Sequence, residues 1–506
     1  MKPFHYFLSI AGVTLLVGGG MALQANLKYQ ADGREIAKLI SEYKAMGIPT
    51  NGDEFWRPIH SDENAWVEIG PLLMNKNGRG NGPLYRGGIS LDLIYAGTKK
   101  DLPTMRKYLK KNQEKRDQVL DALRKKPKMQ VPHDYDEGYM MLLPEYATMK
   151  TLCKDFCLEA YVAGLEGDTA RMITNLDAAT RFAHHCFDRG ELIGSMVGLA
   201  IQRQILDTGF RLMEVQPSLR GQIIAYLSAP EFLGQKNLRK VLHGEFLSQV
   251  VTTRYLDSPL VDKRRYPSPI DKVFKNPTTE EIMKSSQVRK GDYLPESRSM
   301  RAFLRRRLEE CKPFMTQLSK QGEIDALPSE ADFAKFFDYS QGMPTSLSFL
   351  YPNSVDSRIT YKNMSIDLEY ADVARIILKA VQTKDRTGSY PDSMNQMGME
   401  VRSYSGGEGY EYFASEKGVI VNSVRLNLDS KKPAVKLSFP PSLAVDPVNI
   451  TKRQEVLRDY RTGKVNDQGI QHSLALGPQT SLLPPAGAPK ATPKVVSPGS
   501  KTVKSP

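Results

Sequence analysis

The stretch from Leu143 to Met213 restricts this chain more than any other. It is almost continuously helix-forming, and its interruptions are brief. "EYATMKTLCKDFCLEAYVAGLEGD" stops between Gly164 and Gly167, where Asp168 can cap the next helix, "TARMITNLDAATRFAHHCF". Gly190 marks a second break, before "ELIGSMVGLAIQRQILDTGFRLM". Connections this short make consecutive helices antiparallel, so the spacing predicts stacked helical hairpins. Ala160, Gly164, Gly167, Ala170 and Ala178 are the small residues of a tetratricopeptide-like hairpin. No second copy follows at a fixed period, so a repeat array is not expected.

Around this stack the sequence reads as mainly α. "ADGREIAKLISEYKAMGIPT" is a helix with Ile36, Leu39, Ile40 and Tyr43 on its apolar stripe, stopped by Gly47 and Pro49. Asp101 to Leu123 reads as one basic amphipathic helix, with Leu102, Met105, Leu109, Leu120 and Leu123 on its apolar side. Another helix runs from Leu238 to Leu256. Residues 257–296, rich in Pro, Lys, Arg and Ser, read as a long surface excursion. Helices resume with "RSMRAFLRRRLEECKPFMTQL", "SEADFAKFFDYS" and Ile366 to Gln382.

"GSYPDSMNQMGMEV", Gly388 to Val401, then turns the chain into three strand-like runs, "YEYFA", "GVIVNSV" and "AVKLSF". Their alternation predicts a small antiparallel meander, with Tyr390 packed between helix and strands. The chain of 506 residues thus divides into 1–25, a helical body at 26–345, a helix plus small sheet at 346–445, and a basic Pro/Ser/Lys-rich tail at 446–506. The end of that tail buries too little apolar surface to fold and is expected to be disordered.

The N-terminus predicts a compartment. "FHYFLSIAGVTLLVGGGMALQA", Phe4 to Ala25, has no Asp, Glu, Lys or Arg and follows Lys2. As a helix it is just long enough to span a bilayer. Gly20-Met21-Ala22 and Leu23-Gln24-Ala25 are weak cleavage sites for a signal peptide. An uncleaved transmembrane anchor is the favoured reading, because helix-forming polar sequence continues directly from it. The expected location is the inner membrane, single-pass, with the bulk of the chain periplasmic.

Net charge is +13 and unevenly spread. Lys99 to Lys128 holds twelve Lys/Arg against four Asp/Glu, and Gln468 to the end has four Lys and no acid. Such blocks suit an anionic polymer or lipid, or form solvated faces. Export and the lack of a recognition motif argue against nucleic acid. No catalytic triad, phosphate loop, dinucleotide fingerprint or zinc-protease motif is present. "KNGRGNGPLYRGG", residues 76–88, is a plain glycine-rich loop.

Two clusters have ligand-like composition. Cys153, Cys157, His184, His185 and Cys186 contain zinc-type donors, but burial of the thiols is the better reading. His133, Asp134, Asp136 and Glu137 lack the spacing of a calcium loop, and turn or capping roles fit them better. Arg305, Arg306 and Arg307 read as a charged helix face with pairing such as Arg305–Glu309. No catalytic, cofactor or metal site is therefore expected.

Several segments together resemble a family of uncharacterised, membrane-anchored envelope proteins of planctomycete and verrucomicrobial bacteria. They are "GIPTNGDEFWRPIHSDENAW", "VPHDYDEGYMMLLPEYATMKTLC", "GLEGDTARMITNLDAATRFAHH", "VLHGEF" and "ARIILKAVQTKDRTGSYPDSMNQMG", in that order over about residues 30–425. The resemblance implies an anchored helical protein of the envelope and carries no assigned activity. The Gly-x-Tyr-Pro unit also resembles the turn after the long helix of type II secretion pseudopilins. The prepilin-peptidase motif is missing here, and the unit lies far from the N-terminus. The expected function is binding or scaffolding in the envelope. Alternatives are an accessory of a type II secretion or pilus-like system, or an enzyme on envelope polymers using acids such as Asp134, Asp136 or Glu145.

Overall fold

The computed structural model describes residues 2–74, 93–94, 97–133, 135, 143, 145–229, 232, 238–257, 293–320, 329–337, 357–399, 409–423, 426–427, 432–433 and 435–443. In chain order its main helices are α1 (Lys2–Ala45), α2 (Trp66–Leu73), α3 (Leu102–Lys110), α4 (Gln113–Lys125), α5 (Glu145–Glu166) and α6 (Thr169–Asp188). They continue with α7 (Leu192–Val215), α8 (Arg220–Leu227), α9 (Leu238–Asp257), α10 (Tyr293–Lys320), α11 (Glu330–Phe337) and α12 (Ser357–Thr387). The strands are β1 (Tyr410–Ser415), β2 (Gly418–Ser423), β3 (Leu426–Asn427), β4 (Lys432–Pro433) and β5 (Lys436–Phe439). The described residues are mostly helical, with one small three-stranded antiparallel sheet near the C-terminus.

The hairpin stack forms where the glycines predict it. Gly167 takes φ +81° between α5 and α6, and Gly190 takes φ +80° between α6 and α7. Asp168 accepts a hydrogen bond from Arg171 N at 3.0 Å, satisfying an amide that α6 would otherwise leave unpaired. Gly164 has a packing role: a Cβ there would fall 2.5 Å from the Leu212 side chain, so its absence lets α5 and α7 approach closely. Phe156, Phe182, Met172, Leu176 and Ile205 fill the interior of the stack.

The second half of α1 is part of the body. Ile36, Leu39, Ile40 and Tyr43 are buried. Tyr43 donates to Leu308 O at 2.6 Å and meets the Phe246 ring at 4.6 Å. Along α10, Arg301 stacks on Tyr29, Arg305 pairs with Asp32 at 3.0 Å, and Lys312 pairs with Glu42 at 2.8 Å. Partner numbers rise together, so α1 and α10 run parallel. On α9, Arg239 reaches Ser319 O while Phe246 lies at the level of Tyr43, so α9 runs antiparallel to both.

The C-terminal unit confirms the meander, ordered β1–β2–β5, with Tyr410 opposite Ser423 and Val419 opposite Phe439. Gly388 takes φ +87° and its amide bonds Lys384 O at 2.7 Å, which ends α12. Tyr390 is buried under Lys384, and Tyr412 donates to Pro391 O at 2.9 Å, tying the turn to β1. Ser423 donates to Glu369 at 2.6 Å and Tyr410 to Asp372 at 3.0 Å, so the sheet is fastened to α12 by buried polar bonds. Tyr370 in turn donates to Asp207 of α7. One apolar core runs from Ile36 through the stack to Phe439.

Several expectations need correction. The single basic helix over 101–123 is two helices, α3 and α4, broken at Lys111 and Asn112. Arg116 reaches back across the break to Leu109 O at 2.8 Å, a carbonyl that also accepts from Asn112 N at 3.3 Å. The excursion ends earlier than composition suggests, because α10 already begins at Tyr293; 258–292 lies outside the described residues. α12 starts at Ser357 rather than Ile366 and extends to Thr387. The glycine-rich loop at 76–88 and the tail beyond 443 lie outside the described residues.

Candidate functional site

Among the described residues, a dense group of ionisable side chains surrounds the α6–α7 turn. The Arg189 guanidinium is fully buried. It donates through Nη1 to Glu145 and through Nε and Nη2 to Glu191 Oε1, at 3.2 and 3.0 Å for the latter pair. Tyr135 donates to Glu191 Oε1 at 2.9 Å, and Tyr146 donates to Glu191 Oε2. His133 Nε2 lies 3.0 Å from Glu145 Oε1. The Tyr146 ring also lies under the guanidinium, 4.7 Å away. From α9, Glu245 accepts from Leu192 N at 3.0 Å and so caps α7.

Burial alone would raise the Glu145 carboxyl, but the His133 hydrogen bond and the Arg189 charge outweigh it and hold it below its ordinary value. Burial likewise opposes the Arg189 charge, yet Tyr146, Glu191, Tyr135 and Glu145 more than offset it. Burial pushes Tyr146 well up, so its hydroxyl stays a donor. This network clamps His133, Tyr135 and the start of α5 onto the α6–α7 turn. Glu145 is thus a buried counter-ion and does not face a groove as an envelope-polymer acid would. Asp134, Asp136 and Glu137 lie outside the described residues. The network's one sequence signal is Arg189-Gly190-Glu191, charges flanking a glycine between two apolar helices.

The cysteine–histidine cluster is core. Cys153, Cys157 and Cys186 are free and fully buried. Burial pushes the Cys157 thiol up to about 12. His185 Nδ1 donates to Met129 O at 2.7 Å, and burial, with the Arg189 charge, pushes its pKa down to about 3. Among the described residues no group of three or more His, Cys, Asp or Glu is placed to hold a metal.

The basic stretch from Lys99 to Lys128 is only partly a surface. Arg116 is buried against Glu159, Arg106 pairs with Glu166, Lys126 with Glu68 at 3.0 Å, and Lys128 with Glu63 at 2.5 Å. Lys107 and Lys110 are exposed on the side of α3 opposite Met105, Tyr108 and Leu109, and Lys99 and Lys100 are exposed in the 3-10 turn that precedes it. The arginine run of α10 is also mixed. Arg305 pairs with Glu309 at 3.6 Å as expected, and more closely with Asp32. Arg307, however, is buried and donates to Phe336 O at 2.7 Å, which fastens α11 to α10.

The remaining surface feature is α1 itself. Its backbone is one unbroken helix through Gly18, Gly19 and Gly20 and through both weak cleavage sites. Val17, Met21, Leu23 and Leu27 are each more than half exposed. Among the described residues no helix is long and apolar enough to cross a membrane. Most of the span expected at 4–25 falls on residues whose side chains lie outside the described ones. Comparison with protein families, curated proteins and solved structures gave no match.

Proposed function

We propose that the chain is a membrane-anchored, exported protein that binds or scaffolds a partner in the cell envelope. One observation carries the reading. α1 leads without a break from the uncharged run Phe4–Ala25 into Ile36–Tyr43, which is core of the body. An uncharged run of this length reaches roughly 33 Å as a helix, enough for a hydrocarbon layer of about 30 Å. The anchor and body then form one rigid object, which suits presenting a surface at fixed height. The exposed lysines of α3 suit an acidic wall polymer or an anionic lipid as partner. The order of segments resembling planctomycete and verrucomicrobial envelope proteins supports the same reading.

Protease accessibility in intact and permeabilised cells tests it. The body is expected to be protected in intact cells and digested once the outer envelope is opened. Digestion only after the inner membrane is also opened removes the reading. A second reading, an accessory of a type II secretion or pilus-like system, is favoured by the helix–turn–meander of α12, Gly388–Pro391 and β1–β2–β5. Unchanged secretion and surface filaments in a deletion strain remove that one.

A further inference from the structure

The charge at the opening of α3 is not compensated within the fold. Residues 98–111 contain six Lys/Arg and a single acid, Asp101. Asp101 is buried, and its Oδ2 accepts from Thr98 N at 2.8 Å and from Thr98 Oγ1 at 3.1 Å, so it caps the turn and stays off the surface. Arg106 is committed to Glu166, and Glu159 to Arg116 and Arg171. Lys99, Lys100, Lys107 and Lys110 are all exposed, and among the described residues no acid pairs with them. Lys99 and Lys110 stand roughly 17 Å apart along the chain at helical rise. The row ends there, because Glu114 and Asp117 are exposed on α4.

The fold holds these lysines outward. Met105, Tyr108 and Leu109 are buried on the other side of α3. Tyr108 donates to Asp155 of α5 at 3.1 Å, and Tyr161 of α5 donates to Gly97 O at 2.9 Å. The apolar side of α3 is thereby used by the core, whereas a helix lying in a membrane surface must offer its apolar side to lipid. A single-stranded nucleic acid binds through aromatic side chains that stack on its bases. Tyr108 is the only aromatic residue of 98–111, and it is buried. What this face offers is a row of ammonium groups, each a point charge with rotatable donors. Such a row suits anionic oxygens repeated along an extended chain.

We propose that Lys99, Lys100, Lys107 and Lys110 form a docking face for a linear polyanion, an envelope polymer with a phosphate or carboxylate on each repeat. The choice of an envelope polymer rests on the reading above. The face itself is tested on the purified full chain in neutral detergent, so it fails separately from the location. Polyphosphate is titrated calorimetrically at two salt concentrations, the second twice the first. Each cation that displaces counterions from a flexible polyanion steepens the logarithmic salt dependence by about 0.7. Four such cations should weaken binding about sevenfold on that doubling. Replacing all four (Lys99→Gln, Lys100→Gln, Lys107→Gln and Lys110→Gln) should make the slope shallower by about 3 and weaken binding. Replacing all four by Arg, at the same exposed positions, should keep both.

Unchanged affinity and salt slope in the Gln variant overturn the face, and so does a parent chain that does not bind polyphosphate. Phosphatidylglycerol added to the micelles should leave the titration unchanged. If it blocks polyphosphate, a lipid surface is the occupant and the polymer is overturned. Single-stranded DNA bound more tightly than polyphosphate overturns the polymer in favour of nucleic acid.

Discussion

Replacing Arg189 by Met probes the buried network most sharply. The side chain is fully buried and is the cation shared by Glu145 and Glu191. Methionine fills much of the space but leaves Glu191 without its cation and Glu145 with only its His133 contact. Breaking a buried pair by removing one partner costs about 3–5 kcal/mol. At a urea slope near 3 kcal/mol/M, that is a fall of about 1–2 M in the unfolding midpoint, read by near-ultraviolet circular dichroism.

The pH dependence separates charge from packing. In the parent, Glu145 has a lowered folded-state pKa, so its contribution is present above the unfolded value and is lost as pH falls through the folded one. In Arg189→Met the buried Glu145 loses the guanidinium charge that helps to hold it low, so its folded-state value rises from that of the parent. Protonation then relieves the variant, and the gap to the parent should narrow between pH 7 and pH 5. Adding Glu145→Gln and Glu191→Gln to Arg189→Met should recover most of the loss at neutral pH. A midpoint within about 0.3 M of the parent, roughly 1 kcal/mol at that slope, or a gap that ignores pH, refutes the electrostatic reasoning.

Other expectations follow from the same geometry. His185 stays neutral in the fold while its unfolded counterpart gains a proton below about 6.5, so it should cost about 2 kcal/mol of stability on going from pH 7 to pH 5; His185→Asn should flatten that part of the pH–stability profile. Asp168→Ala removes the α6 cap and should cost about 1 kcal/mol in the same denaturation assay, with Asp168→Asn close to the parent. Tyr43→Phe deletes one buried bond between α1 and α10 and should cost about 1 kcal/mol, whereas Tyr43→Ala should cost about 3–5 kcal/mol through lost packing. Cys153, Cys157, Cys186 and Cys311 are buried with raised thiol pKa values, so an aromatic disulfide reagent should label them only on unfolding; fast labelling of the native chain contradicts their placement.

The elements legible in the sequence are those set by local backbone chemistry. Gly167, Gly190 and Gly388 each adopt positive φ at a helix end, and Asp168 caps where its spacing predicts. The alternation in "GVIVNSV" reflects a strand with Val419 and Val421 facing the core. The misses come from contacts distant in the chain. Nothing in Lys110-Lys111-Asn112 announces the split of the basic helix. The buried network joins residues 133 to 245, and only Arg189-Gly190-Glu191 hints at it. Arg307 reads as surface by its neighbours, yet the Phe336 carbonyl draws it inside.

The central claim is that α1 is retained and joins a membrane to the body as one helix. Sequencing the N-terminus of the protein recovered from carbonate-washed membranes tests it directly. The chain is expected in the pellet with the run Phe4–Ala25 still attached. A chain released by carbonate, or one beginning at Leu23 or Asn26, contradicts it.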